Sequence, residues 1–481
     1  MTEEKQEQAT CSSFGAGEEE SVITDVVPSN KRQRSAPGDN LRLDAFMVVL
    51  SQVREGGTCL FSTRQLQLVS FEICAACRHV ATLRVRVDMQ TPCRLWAPPV
   101  LGEVLPVRAL GLTWMAYLRQ LEGAVWQDSL QQLTFGRGFN HPIAEVVWPS
   151  YLEQLTFGLN FDQPIAGVVW PSSLKQLTFG KRFNQPVDGV LWPSSLELLT
   201  FGCFFNQPIA GVAWPMSLKQ LNFGEGLNQP VAGVVWPMSL QQLSFGDRFD
   251  RPIAGVVWPS SLEQLTFGCL FNQPIAGVAW PSSLKELTFG QRFNQPVDGV
   301  LWPSSLDLLT FGCCFNQPIA GVAWPMSLKQ LNFGRRFNQP IAGVVWPMSL
   351  KQLNFGQGFN QPVAGVVWPM SLEQLSFGDR FDQPIAGVVW PSPLEQLTFG
   401  CLFNQPIARV VWPSSLKQLT FGHIFNQPIA GVVWPSSLEQ VKVGEFFNQP
   451  TVGILGPSLR RVRTRPYCLR RYVAILAAVP Q

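Results

Sequence analysis

A tryptophan recurs every 22 residues from Trp126 to Trp434, fifteen times in succession, without an insertion or deletion. A fixed short period over most of a chain is the signature of a repeat architecture. Neighbouring units stack, and no single unit can bury its apolar residues alone. The unit reads W-P-S-S-L-x-Q-L-T-F-G-x-x-F-N-Q-P-I-A-G-V-V and is nearly whole at Trp170–Leu191 and Trp258–Ala279. Two prolines and usually two glycines per unit leave no room for a helix of any length. The predicted fold class is therefore a solenoid of parallel β-strands, mostly β and irregular turns, with very little helix inside the repeats.

The strand is best placed at Leu174–Gly180 and its equivalents. Alternation sends Leu177 and Phe179 one way and Gln176 and Thr178 the other. Trp170, Phe183, Trp280 and both members of the valine pair join Leu177 and Phe179 in the predicted interior. Trp280 is expected to stack between Trp258 and Trp302. Gly180 and Gly189 mark backbone that needs a positive φ or a close approach, and Pro171 and Pro186 stiffen the corners. Asn184 belongs to a column of Asn, with Asp162, Asp250 and Asp382 at the same place. Each offers a short-stemmed acceptor to a backbone N–H at a turn, so the column is read as structural.

A second column alternates in charge: Glu153, Lys175, Glu197 and Lys219, then Glu263, Lys285, Asp307 and Lys329. Adjacent turns make these neighbours, so alternation sets register and keeps the face soluble. Variation concentrates in the two residues after the strand-ending glycine. Lys181-Arg182, Cys203-Phe204, Asp247-Arg248, Cys269-Leu270, Gln291-Arg292, Arg335-Arg336 and His423-Ile424 put charged and apolar pairs on one rim. A variable position on a repeating frame is where solenoids commonly bind. The plainer reading is a rim that tolerates change.

The flanks differ. Residues 1–40 read as a disordered tail, with Lys31-Arg32-Gln33-Arg34 either a nuclear import patch or a solubilising cluster. Residues 41–78 read as a small helical region or cap, 79–125 as degenerate capping repeats, 126–455 as the fifteen repeats, and 456–481 as a degenerate, basic C-terminal cap. Cys74, Cys77 and His79 lack a second paired motif, so structural cysteines are expected and no metal.

Only 14% of residues are charged and the formal net charge is +3, which argues against a nucleic-acid footprint. The run Val473–Val479 is far short of the roughly 20 residues that span a bilayer. With an opening of Met1-Thr2-Glu3-Glu4-Lys5, the expectation is an intracellular chain with reduced cysteines, cytoplasmic or nuclear.

Leu174, Leu177, Phe179, Gly180, Phe183, Asn184, Pro186 and Val187 spell L-x-x-L-x-F-G-x-x-F-N-x-P-[IV]. This pattern resembles the FNIP repeat family, relatives of the leucine-rich repeats, across residues 126–455. The resemblance implies a leucine-rich-repeat-like solenoid. Some relatives are joined to an F-box, which Leu43, Phe46 and Leu50 match weakly. With only His79, His141 and His423 and no phosphate-cradling Gly-rich motif, no Ser–His–Asp or Cys–His arrangement is expected, and no cofactor. The primary expectation is a non-catalytic scaffold for an unidentified protein partner. The alternatives are a substrate adaptor that recruits ubiquitin ligase core subunits through residues 41–80, and a passive structural rod.

Overall fold

The structure, a computed structural model, describes residues 83–87, 107–112, 130–450 and 461–464. The chain divides into two units, Met1–Gly56 and Gly57–Gln481, and every described residue belongs to the second. The expectations for residues 1–40 and 41–78, including Lys31–Arg34, Cys74, Cys77 and His79, lie outside the described residues.

One sheet carries eighteen strands. They are β1 (Leu83–Val87), β2 (Val107–Leu112) and β3 (Gln132–Phe135). Next come β4 (Gln154–Thr156) to β16 (Gln418–Thr420) at 22-residue intervals, then β17 (Gln440–Val443) and β18 (Arg461–Thr464). Each strand pairs in parallel with the next in sequence, in a register of one repeat through the array: Leu177 lies opposite Leu155 and Leu199. Both β1 and β2 fall within residues 79–125, read as degenerate capping repeats, and Arg461–Thr464 closes against β17. Among the described residues there is no helix.

The regular strand is three residues long because the unit turns at once. Phe183 N–H donates to Gly180 O at 3.1 Å, Val190 N–H to Val187 O at 3.4 Å, and Leu196 N–H to Pro193 O at 3.1 Å. Three such turns bend each unit back under itself. Two glycines serve two different ends. Gly189 takes φ 70 at the third residue of its turn, where an L side chain is strained. At Gly180 the demand is for space, since an added Cβ would meet Gly158 O at 1.7 Å.

Leu174, Leu177, Phe179 and Phe183 are buried, as expected, and Trp170 is 7% exposed. The rings form columns whose pitch grows with distance from the sheet. The first phenylalanine of each unit stacks on its neighbour at 5.5–5.8 Å. The second stacks at 5.8–6.2 Å. The tryptophans that stack do so at 6.1–6.5 Å. Strands sit about 4.8 Å apart, so the turns fan outward from the sheet. One spacing departs from its column: Phe223–Phe245 opens to 6.1 Å in the turn where Leu227 replaces the second phenylalanine.

One expectation is corrected. The valine pair does not share the interior: Val168 is 3% exposed and Val169 is 78% exposed. The chain leaves the Gly167 turn extended, and extended backbone cannot send two successive side chains to one side. Trp280 is half-buried against the core. It stacks on Trp258 at 6.3 Å and meets Phe267 at a steep angle of 71°. The stacking expected against Trp258 is realised.

Candidate functional site

The Asn column is a built ladder. Asn184 Oδ1 accepts the backbone N–H of Asn206 at 2.8 Å, while Gln207 Nε2 donates to Asn184 O at 2.8 Å and to Asn184 Oδ1 at 3.2 Å. Asp250 takes the same role toward Asn272 and Gln273. These groups hold one turn to the next where the sheet has ended.

The charge column is also paired. Lys175 meets Glu153 at 2.8 Å, Lys219 meets Glu197 at 3.1 Å, and Lys285 meets Glu263 at 3.0 Å. Lys329, Lys351 and Lys417 find Asp307, Glu373 and Glu395 in the same way. The hydrogen bond and charge of Glu153 hold the Lys175 ammonium above its ordinary range. These pairs are half in solvent, where screening leaves an ion pair little stabilising effect, so their use is register. Beside them, Gln220, Asn222, Gln242 and Ser244 line a shallow, uncharged trough on the strand face.

The rim follows the strand. All fourteen candidate residues fall into its two adjacent columns. Lys181, Arg182, Asp247, Arg248, Gln291, Arg292, Arg335 and Arg336 are exposed, as is Phe204; Cys203, Cys269, Leu270, His423 and Ile424 are half-buried. The backbone beneath them is fixed. The second rim residue donates its N–H to the carbonyl of the first rim residue one turn earlier: Arg182 to Leu159 at 2.9 Å, Arg248 to Glu225 at 2.9 Å, Arg292 to Cys269 at 2.8 Å, Arg336 to Cys313 at 2.8 Å. Side chains on this ladder vary while their spacing does not.

Three contacts on the rim escaped the sequence reading, although the 22-residue period contains them all. Cys203 Sγ donates to Glu225 Oε1 at 3.4 Å, and Cys401 Sγ donates to Asp379 Oδ1 at 3.3 Å. His423 Nδ1 lies 3.7 Å from Glu445 Oε1. Burial first, and then the hydrogen bond to Asp247, push the Cys269 thiol up to about 11. Burial and Glu225 raise Cys203 likewise. Cys401 and His423 are successive occupants of one column. Each engages a carboxylate on its far side. Among the described residues, no group of three or more His, Cys, Asp or Glu side chains is placed to hold a metal ion.

An apolar strip also went unread. Val147, Val169, Leu191, Val235, Val257 and other valines and leucines to Val433 stand outward at 78–84% exposure just before their Trp, with Ala213, Ala279 and Ala323 at the same place in three turns. Met216, Met238, Met326, Met348 and Met370 are exposed just after the Trp-Pro pair.

A sheet of short parallel strands, one per 22-residue turn and closed over stacked aromatic rings, defines a leucine-rich-repeat-like solenoid. The FNIP Repeat matches residues 161–204, 227–270, 271–314, 315–358, 359–402 and 403–446, more than half of the chain. The chain belongs to the FNIP repeat family. Among solved structures, CroV588, a circular LRR protein, is 40% identical, covering 74% of this chain and 55% of that one, with a TM-score of 0.64. TLR13 in its complex with ssRNA13 is 17% identical over 72% of this chain and 54% of that one, with a TM-score of 0.49. The Toll–Spatzle complex from Drosophila is 13% identical over 70% and 51%, also with a TM-score of 0.49. The chain thus spans little more than half the length of each of these structures. No curated protein matches it. The fold is a repeat-built solenoid.

Proposed function

We propose that this chain is a protein-interaction scaffold whose rim selects its partners. One observation carries the reading. The rim's side chains change from turn to turn, Lys181-Arg182 to Cys203-Phe204 and Asp247-Arg248 to Cys269-Leu270, over backbone rungs of 2.8–2.9 Å. Variation on a frame of constant pitch displays a particular row of groups, as solenoid binding surfaces do. The chemistry of the rim suits recognition. Exposed arginine and the 51% exposed Phe204 are the types that dominate interfaces. The ubiquitin-ligase adaptor reading rests on residues 41–80, which lie outside the described residues.

Affinity capture with the full chain tests the proposal. Two variants are compared with the native chain, Arg335→Glu with Arg336→Glu, and Phe204→Ser with Leu270→Ser. All these residues lie on the surface turn, so both variants should melt like the native chain. Loss of a captured partner on either change supports the rim. A partner set unchanged in both overturns it.

A further inference from the structure

The second rim position alternates. Arg248, Leu270, Arg292, Cys314, Arg336, Gly358, Arg380 and Leu402 occupy eight successive turns, with arginine on every other one. All four arginines are exposed. Their backbones are pinned by N–H bonds of 2.8–2.9 Å to the preceding turn. The same ladder holds the turns between them, Leu270 to Asp247 at 2.8 Å and Cys314 to Gln291 at 2.7 Å.

Their charge is unspent. Every lysine of the strand-side column has a carboxylate within 3.1 Å. Among the described residues, no ion pair reaches Arg248, Arg292, Arg336 or Arg380. The acids beside two of them are directed elsewhere, Asp247 to the Cys269 thiol and Asp379 to Cys401 at 3.3 Å. Arg335 adds a further exposed cation beside Arg336.

Spacing names the partner. Turns joined at strand spacing of about 4.8 Å place arginines on alternate turns about 10 Å apart. One turn of polyproline II, three residues at about 3.1 Å each, covers that distance and returns every third side chain to the same face. We infer that the rim from Arg248 to Arg380 binds an extended acidic peptide with a carboxylate at every third residue. Each carboxylate takes two parallel N–H bonds from a guanidinium. The intervening residues of the peptide lie over Leu270, Cys314 and Gly358. Binding centres on Arg292, Arg335 and Arg336, where no rim carboxylate competes.

This rests on the rim reading but is narrower, and its test is separate. Fluorescence anisotropy of the full chain is measured with a labelled peptide of four glutamates, one at every third position with alanine or proline between. The comparisons are an isomer with its glutamates contiguous and a single-stranded oligothymidylate. The spaced peptide should bind at least tenfold more tightly than its isomer. Arg336→Gln should weaken it more than Arg248→Gln, with unchanged melting. Equal binding of both peptides, tighter binding of the oligonucleotide, or no response to Arg336→Gln overturns the inference. If partner capture is lost on changing Phe204 and Leu270 while no acidic peptide binds, the rim reading stands and only the acidic ligand falls. If capture ignores every rim change, the rim reading itself falls.

Discussion

Asn316 donates its backbone N–H to Asn294 Oδ1, one turn earlier, at 2.8 Å. Gln317 Nε2 reaches the same oxygen at 3.1 Å. One side chain thus satisfies two donors from the next repeat, at a bend where the sheet offers no partner. Asn294→Ala should leave the Asn316 N–H unpaired and cost about 1–3 kcal/mol. Asn294→Asp should cost little, since Asp250 and Asp382 already accept from the next turn. Chemical denaturation of both variants, with hydrogen exchange read at Asn316, checks this. Equal loss in both would mean the column does not act through its acceptor oxygen.

The tryptophan column carries an unusual burden. Trp280 Nε1 is buried without a hydrogen-bond partner, and the same holds at Trp258 and Trp302. Such a donor contributes nothing, and burying it is unfavourable. Removing the ring and removing the N–H should therefore separate. Trp280→Ala should cost about 3–5 kcal/mol through lost packing and a cavity. Trp280→Phe keeps most of the stack and discards the donor, so it should cost less than half as much. Lys285→Ala, on the paired outer column, should cost less than about 1 kcal/mol. Hydrogen exchange should place the W280A damage in the adjoining turns first.

Two glycines nine residues apart predict different penalties. Gly299 has φ 70 with open space around its missing Cβ, so Gly299→Ala should cost only the left-handed strain, about 1–2 kcal/mol. At Gly290 an added Cβ would fall 1.7 Å from Gly268 O, backbone against backbone. Gly290→Ala must push neighbouring turns away from each other, so it should be the more damaging by a clear margin. Thermal melts of the two variants give the order directly, and a reversed order would contradict the packing described.

These sites show what a sequence can disclose. The inward path of Leu177 and Phe179, the acceptor role of Asn184 and the Lys285–Glu263 neighbourhood all follow from period and alternation. Those are local properties repeated at a fixed interval. The outward turn of Val169 was missed because it depends on where the Gly167 turn releases the chain. Likewise, the wider pitch of the tryptophan column reflects a fanning accumulated across the whole cross-section, which no single unit encodes. The rim contacts Cys269–Asp247 and His423–Glu445 were legible in principle. Each joins residues one period apart, and only a column-by-column reading brings them together.

Rim thiols should differ in rate. Cys269 titrates near 11, raised by burial and by Asp247, so at neutral pH it is almost wholly protonated and a poor nucleophile. Cys313 is exposed. A thiol-reactive disulfide reagent at neutral pH should label Cys313 well before Cys269, with Cys269 catching up only as pH rises toward 11. Asp247→Asn should lower the Cys269 value and speed its labelling while Cys313 is unchanged. Peptide mapping of the labelled chain reads both rates, and early labelling of Cys269 would contradict the assigned contact.

The central claim is that partners meet the rim, not the strand-side charges or the outward apolar strip. A photo-crosslinking amino acid placed singly at Phe204, Lys285 or Val257 tests it most directly, because each position stands on a different face. All three side chains reach solvent, so the fold should tolerate each replacement. Irradiation in cells should give discrete crosslinked partners from position 204 and none from 285 or 257. Partners recovered from 257 or 285 but not from 204 would contradict the account and move the interface to another face.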